Sequence, residues 1–127
     1  MFRRIILSCT CLLVLGSCKY ENIEVYELAK QTERVQVVFS NKPEDYEELT
    51  SKRKIRQFAN YVTMDETPVF HCGYDGYILF FTKEGSVRME FNLQEGCRHV
   101  LYNYAGVTHT KALTPEGLEY LLSIQPK

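Results

Sequence analysis

The chain has 127 residues, a length that fits one domain. It carries 15 Lys and Arg against 16 Asp and Glu, a net charge of −1 that supplies no field for a phosphate backbone and so argues against nucleic-acid binding. With 45% hydrophobic and 24% charged residues, disorder of the whole chain is excluded.

The first eighteen residues, MFRRIILSCTCLLVLGSC, read as an address. Arg3 and Arg4 form a positive head. The apolar run from Ile5 to Leu15 is about half the ~20 residues a transmembrane helix needs, and it suits the hydrophobic region of a signal peptide. The order Leu15-Gly16-Ser17-Cys18 resembles the lipobox of bacterial lipoproteins. That resemblance implies cleavage before Cys18 and acylation of its thiol, hence a signal peptide over 1–17 and membrane attachment through lipid. Cys9 and Cys11 lie too close to Arg4 to leave a full hydrophobic region before them. Processing leaves 110 residues in which 13 basic face 16 acidic side chains, a net −3. Lys19, where an Asp would signal inner-membrane retention in Gram-negative lipoproteins, implies the outer membrane. Glu21, Glu24 and Glu27 resemble the acidic stretch of surface-exported lipoproteins, and linker solvation accounts for them equally.

Residues 18–33 are expected to be a lipidated tether, with a short strand around Ile23 to Leu28, and residues 34–127 one domain. Arg34 to Ser40 reads as a strand with Val35, Val37 and Phe39 on one face. Asn41-Lys42-Pro43-Glu44 has the form of a capping box, predicting a helix whose inward stripe is Leu49, Ile55, Phe58, Ala59 and Val62. Its basic cluster, Lys52, Arg53, Lys54 and Arg56, is a candidate anion site, although a solvated helix face explains it without a ligand.

From Pro68 to Ala112 the pattern predicts antiparallel hairpins. Pro68 to Tyr74 is expected to be a strand, and Asp75-Gly76 a type I′ turn. Tyr77 to Thr82 is apolar on both faces. Val87, Met89, Phe91 and Leu93 alternate cleanly with Arg88, Glu90, Asn92 and Gln94. Turns at Lys83 to Ser86, Glu95-Gly96 and Ala105-Gly106 separate strands over Cys97 to Tyr104 and Val107 to Ala112. Thr114-Pro115 caps a last helix with Leu118, Leu121 and Leu122 on its apolar side. The fold expected is α+β, an antiparallel sheet of four to five strands with two helices packed on one face.

Cys72 and Cys97 are the two cysteines left after processing at Cys18, and an oxidising envelope favours a disulfide between them. In a flat meander their strands would stand ~14 Å apart at ~4.8 Å per spacing, whereas a disulfide needs Cα atoms within ~7 Å. Either the sheet curls, or Cys97 lies in a loop crossing one end, or no bond forms. His71, Cys72, Asp75, Cys97, His99 and His109 form a loose metal-ligand set without C-x-x-C or H-x-x-x-H spacing, so no metal and no cofactor is expected. The chain has no G-x-S-x-G, P-loop or dinucleotide fingerprint, so no catalytic residue is assigned. Tyr74, Tyr77, Tyr102 and Tyr104 are candidate partner contacts, because tyrosine offers area at little entropic cost. The expectation is a lipid-anchored envelope module that binds a protein or ligand, as an inhibitor, immunity factor or assembly accessory. The alternative is a small envelope enzyme using the Cys/His group.

Overall fold

The computed structural model describes residues 21–127. Helix α1 (Ile23–Gln31) leads into β1 (Thr32–Phe39), the short β2 (Glu47–Leu49) and the single-turn α2 (Lys52–Arg56), which continues as a 3-10 turn (Gln57–Asn60). Strands β3 (Val62–Glu66), β4 (Gly76–Thr82), β5 (Gly85–Asn92), β6 (His99–Tyr104) and β7 (Val107–Leu113) follow, and α3 (Pro115–Ser123) closes the chain. The fold is α+β as expected, but the described residues form seven strands in one antiparallel sheet, ordered β2-β1-β4-β5-β6-β7-β3, with three helices.

Register assigns the faces. Val35, Val37 and Phe39 stand opposite Phe80, Ile78 and Gly76, which in turn oppose Val87, Met89 and Phe91. Across β6 the same row continues with Tyr102 beside Met89 and Val100 beside Phe91. The helices supply Val25, Leu28, Ala29, Ile55, Phe58, Ala59 and Leu121 to this row, closing one core. Met89 and Phe91 are fully buried and Arg88 is exposed, as the alternation required.

Several local readings are corrected. Residues 23–31 are neither strand nor tether. Asn22 caps a helix there, its side chain accepting from the Val25 N–H, and Val25, Leu28 and Ala29 recur at helical spacing toward the core. Ile23, expected on the same face as Val25, is more than half exposed. The packed domain thus takes in the stretch from Asn22 as well as 34–127. The capping box at Asn41 starts no helix. Residues 41–46 form turns, and Glu47, Glu48 and Leu49 pair with Val37, Gln36 and Val35 instead. Ladder pairing with β1 overrides the local helical signal, so helix begins only after Ser51. The inward stripe survives: Leu49, Ile55, Phe58, Ala59 and Val62 are all buried, though spread over β2, α2, the 3-10 turn and β3. At the end of the chain Leu121 is buried while Leu122 is half exposed.

The largest correction concerns residues 67–75. They form no strand, and Asp75-Gly76 is no hairpin turn. β3 pairs with β7 at the far edge, while β4 lies in the middle of the sheet, so the chain between them must cross β7, β6 and β5. That is ~19 Å at ~4.8 Å per strand, within reach of nine residues at ~3.3 Å each. Asp75 then docks the crossover: its N–H donates to the Phe91 carbonyl at 2.8 Å, and its carboxylate accepts from the Leu93 N–H at 2.7 Å. Gly76 lacks the positive φ of a type I′ turn. It is glycine for space, because a Cβ there would overlap the Val38 carbonyl and the Phe91 ring. The type I′ signature falls at Ala105-Gly106, with φ of 52° and 80°.

Two stability measurements check this packing. Phe91→Ala should cost ~3–5 kcal/mol, as large-to-small core changes do, and Glu90→Ala well under ~1 kcal/mol. Gly76→Ala should cost ~1–3 kcal/mol through overpacking against Phe91. Denaturant melts decide both, and equal losses at positions 90 and 91 would place the strand in the other register.

Candidate functional site

Among the described residues, the helices pack on one face of the sheet and leave the other without a helix. Opposite the core row, β1, β4, β5 and β6 present Arg34, Gln36, Val38, Tyr77, Leu79, Phe81, Arg88, Glu90 and Leu101. Val38 is buried, whereas Tyr77, Leu79, Phe81 and Leu101 are partly exposed, so an aromatic and aliphatic strip faces outward. Cross-strand register organises its charges. Arg34 sits opposite Phe81, with its guanidinium 4.1 Å from the ring centroid. Arg88 lies 3.7 Å over the Tyr77 ring. Each arginine keeps an N–H for a carboxylate, Glu48 at 3.2 Å and Glu90 at 3.3 Å respectively. Cation–π contact with the rings and the ion pairs with Glu48 and Glu90 place both guanidinium groups on this face.

The crossover covers the other end of this face. Cys72 and Cys97 form a disulfide with Cα atoms 6.2 Å apart. Neither residue is in a strand: Cys72 belongs to the crossover and Cys97 to the β5–β6 loop, so the ~14 Å objection for a flat meander does not arise. Phe70 and Tyr74 pack on the His99 ring, with centroids 5.1 and 5.5 Å away, and together they bury a histidine that register assigns to the outer face. His99 Nδ1 lies 2.8 Å from the Cys97 carbonyl, which can only accept, so Nδ1 donates, and the buried Nε2 has no hydrogen-bond partner among the described residues. Asn92 donates to the Gly73 carbonyl at 2.7 Å.

On the helical side lies a polar group that sequence reasoning missed. Asn22 Nδ2 donates to the Thr63 carbonyl at 2.9 Å and to the Tyr102 hydroxyl at 3.0 Å. The Tyr102 hydroxyl donates to Glu24 Oε1 at 2.9 Å. His109 Nε2 lies 3.3 Å from Glu24 Oε2, and its ring stacks on Tyr102. Burial, and then Glu24, push the Tyr102 phenol above its ordinary range, while the Asn22 hydrogen bond pulls the other way; the hydroxyl stays protonated and donating. Lys111, two residues along the same strand face from His109, donates to the Met64 carbonyl at 3.1 Å. The available signal was Asn22 three residues before Val25, the spacing of a helix cap.

The four tyrosines therefore share no surface. Tyr77 lies on the uncovered face and Tyr74 in the crossover. Tyr102 and Tyr104 face the helices, Tyr102 fully buried. The loose metal set is likewise dispersed: His71 is exposed, the two cysteines are bonded to each other, Asp75 docks the crossover, and His109 pairs with Glu24. Among the described residues, no group of three His, Cys, Asp or Glu could hold a metal ion, and no helix is long and apolar enough to cross a membrane. Cys18 lies outside the described residues. Comparison of the chain with protein-family models, with curated proteins and with solved structures finds no match in any of the three.

Two measurements follow from this geometry. The disulfide closes a loop of 25 residues, worth ~3–4 kcal/mol in the chain-entropy model, so reduction should lower Tm by more than ~10 °C. Tyr102→Phe should cost ~1–3 kcal/mol, because it leaves Asn22 Nδ2 and Glu24 each short of a partner. Calorimetry of both samples checks the pair.

Proposed function

We propose that the protein is a lipid-anchored module of the bacterial cell envelope, acylated at Cys18, that binds a protein partner through the uncovered sheet face. The observation that carries the binding reading is the strip of Tyr77, Leu79, Phe81 and Leu101, which no described helix covers and which is bordered by Arg34 over the Phe81 ring and Arg88 over the Tyr77 ring. Aromatic residues and arginine are the types enriched where proteins meet, and an aromatic and aliphatic strip bordered by two arginines offers both area and charge. The lipobox-like Leu15-Gly16-Ser17-Cys18 supports the anchor, and Lys19 supports the outer membrane of a Gram-negative cell.

A photo-crosslinking amino acid at position 79 should give a discrete protein adduct in intact cells, lost when Arg88 is changed to Glu. The same group at Leu122, exposed on α3, should give none. Identical adducts from both positions, or none from position 79, would overturn the binding face. For the anchor, the intact mass of the purified protein should carry acyl chains on a chain starting at Cys18, and Cys18→Ser should remove them.

A further inference from the structure

Among the described residues the cations differ in their partners, and Lys83, Arg98 and Lys127 stand singly along the chain with no carboxylate within 4.0 Å, whereas α2 gathers four such cations within five residues. Arg34, Arg88, Lys30, Lys42 and Lys111 each have a carboxylate within 4.0 Å. Lys52, Arg53, Lys54 and Arg56, all exposed on α2, have no acidic partner among the described residues. Arg53 and Arg56, with Gln57 and Asn60, line a shallow depression of about 340 Å³ that contains no carboxylate. In a chain whose processed form is net negative, such a patch does not follow from overall charge.

Its position gives it a partner. The N–H of Asn22 donates to the carbonyl of Ala59, next to Asn60 in that depression, and α1 packs along the 3-10 turn. Asn22 is only four residues after Cys18, a reach of at most ~14 Å. Arg56 precedes Ala59 by three residues, about one helical turn. A chain acylated at Cys18 therefore holds this end of the domain close to the headgroups. Charges there act within a screening length of ~8 Å at physiological salt. Ile23, beside Asn22 and 54% exposed, adds an apolar contact at the same end.

We infer that α2 rests on anionic phospholipid headgroups of the membrane that holds the anchor, with phosphate groups lodged between Arg53 and Arg56. This rests on the reading of Cys18 as the acylated residue. Lipid and arginines then act as two linked attachments: the acyl chains set the affinity, and the arginines fix how the domain stands on the surface.

The test uses the acylated protein in vesicles of phosphatidylcholine, with and without phosphatidylglycerol, read by amide hydrogen exchange over residues 52–60. Phosphatidylglycerol should slow exchange there by about fivefold per engaged arginine, the factor equivalent to ~1 kcal/mol per cation near an anionic surface. High salt should reverse the slowing, and Arg53→Gln with Arg56→Gln should abolish it. Lys42→Gln, a charge change on the β1–β2 connection, should leave it intact. Equal exchange in both vesicles, or equal loss with Lys42→Gln, would overturn the inference. So would reproduction of the slowing by inorganic phosphate on detergent-solubilised protein, which would mark a free-anion site. Intact mass of the same sample reports the anchor separately: missing acyl chains sink the Cys18 reading, whereas acylated protein without lipid-dependent slowing sinks only this one.

Discussion

The connection from β3 to β4 governs most of what is distinctive in this fold. Placing β3 beside β7 forces the following nine residues across three strands, and a connection of that kind has no ladder to hold it. It is held instead by separate fastenings: Thr67 to Thr110 through two hydrogen bonds, Cys72 to Cys97 covalently, Gly73 to Asn92, and Asp75 to Phe91 and Leu93. The fastenings reach β7, the β5–β6 loop and, twice, the end of β5, so the crossover ties these together. Its rings also seal His99 from water, which explains why a polar side chain on the outer face is buried. A disulfide suits this position because exposed loop backbone gains little from packing, and a covalent tie restricts the unfolded chain whatever the burial.

Asn22 plays the equivalent part at the other end of the domain. One fully buried residue caps α1, receives the 3-10 turn through its N–H, and bridges β3 and β6 through its amide. Each of its polar groups is satisfied, which a buried amide requires in a low-dielectric interior. The Tyr102, Glu24 and His109 side chains extend that network to β7. The first described helix is thereby fastened at its cap to the 3-10 turn, β3 and β6.

What the sequence made legible followed from periodicity and caps. The alternation from Val87 to Phe91, the strand through Val35, Val37 and Phe39, the cap at Thr114-Pro115 and the Ala105-Gly106 hairpin reflect local rules that tertiary structure did not contest, whereas Asn92, expected to face water, is buried with its amide donating to the Gly73 carbonyl of the crossover. The failures came where a long-range partner decided. Residues 47–49 became a strand because β1 offered a ladder, and Asp75-Gly76 lost its turn because β3 pairs with β7 and the chain enters β4 from a crossover instead of from a neighbouring strand. The disulfide was legible from counting thiols, but its geometry was not, since that needed the crossover. The outer strip was half legible: Tyr77 to Thr82 read as apolar on both faces, which pointed to a covered strand rather than to one face left open. The Glu24 and His109 pair joins residues 85 positions apart and leaves no trace in spacing.

The two surfaces proposed for contact are compatible only because of how the layers are stacked. In the proposed arrangement the anchor would enter through Asn22, which belongs to the helical layer, and the α2 cations without an acidic partner among the described residues belong to that layer as well. A domain resting on those cations turns its helices toward the bilayer. The sheet then stands between membrane and solvent, with the Tyr77, Leu79 and Phe81 strip directed away from the lipid. Had the basic cluster lain on the sheet's open face, attachment and partner binding would compete for the same residues. Their separation lets a short tether restrict orientation without hiding the recognition surface. It also gives the tether's brevity a role: a longer one would leave the domain free to tumble, and two surface arginines alone, at ~1 kcal/mol each, would not hold it in place.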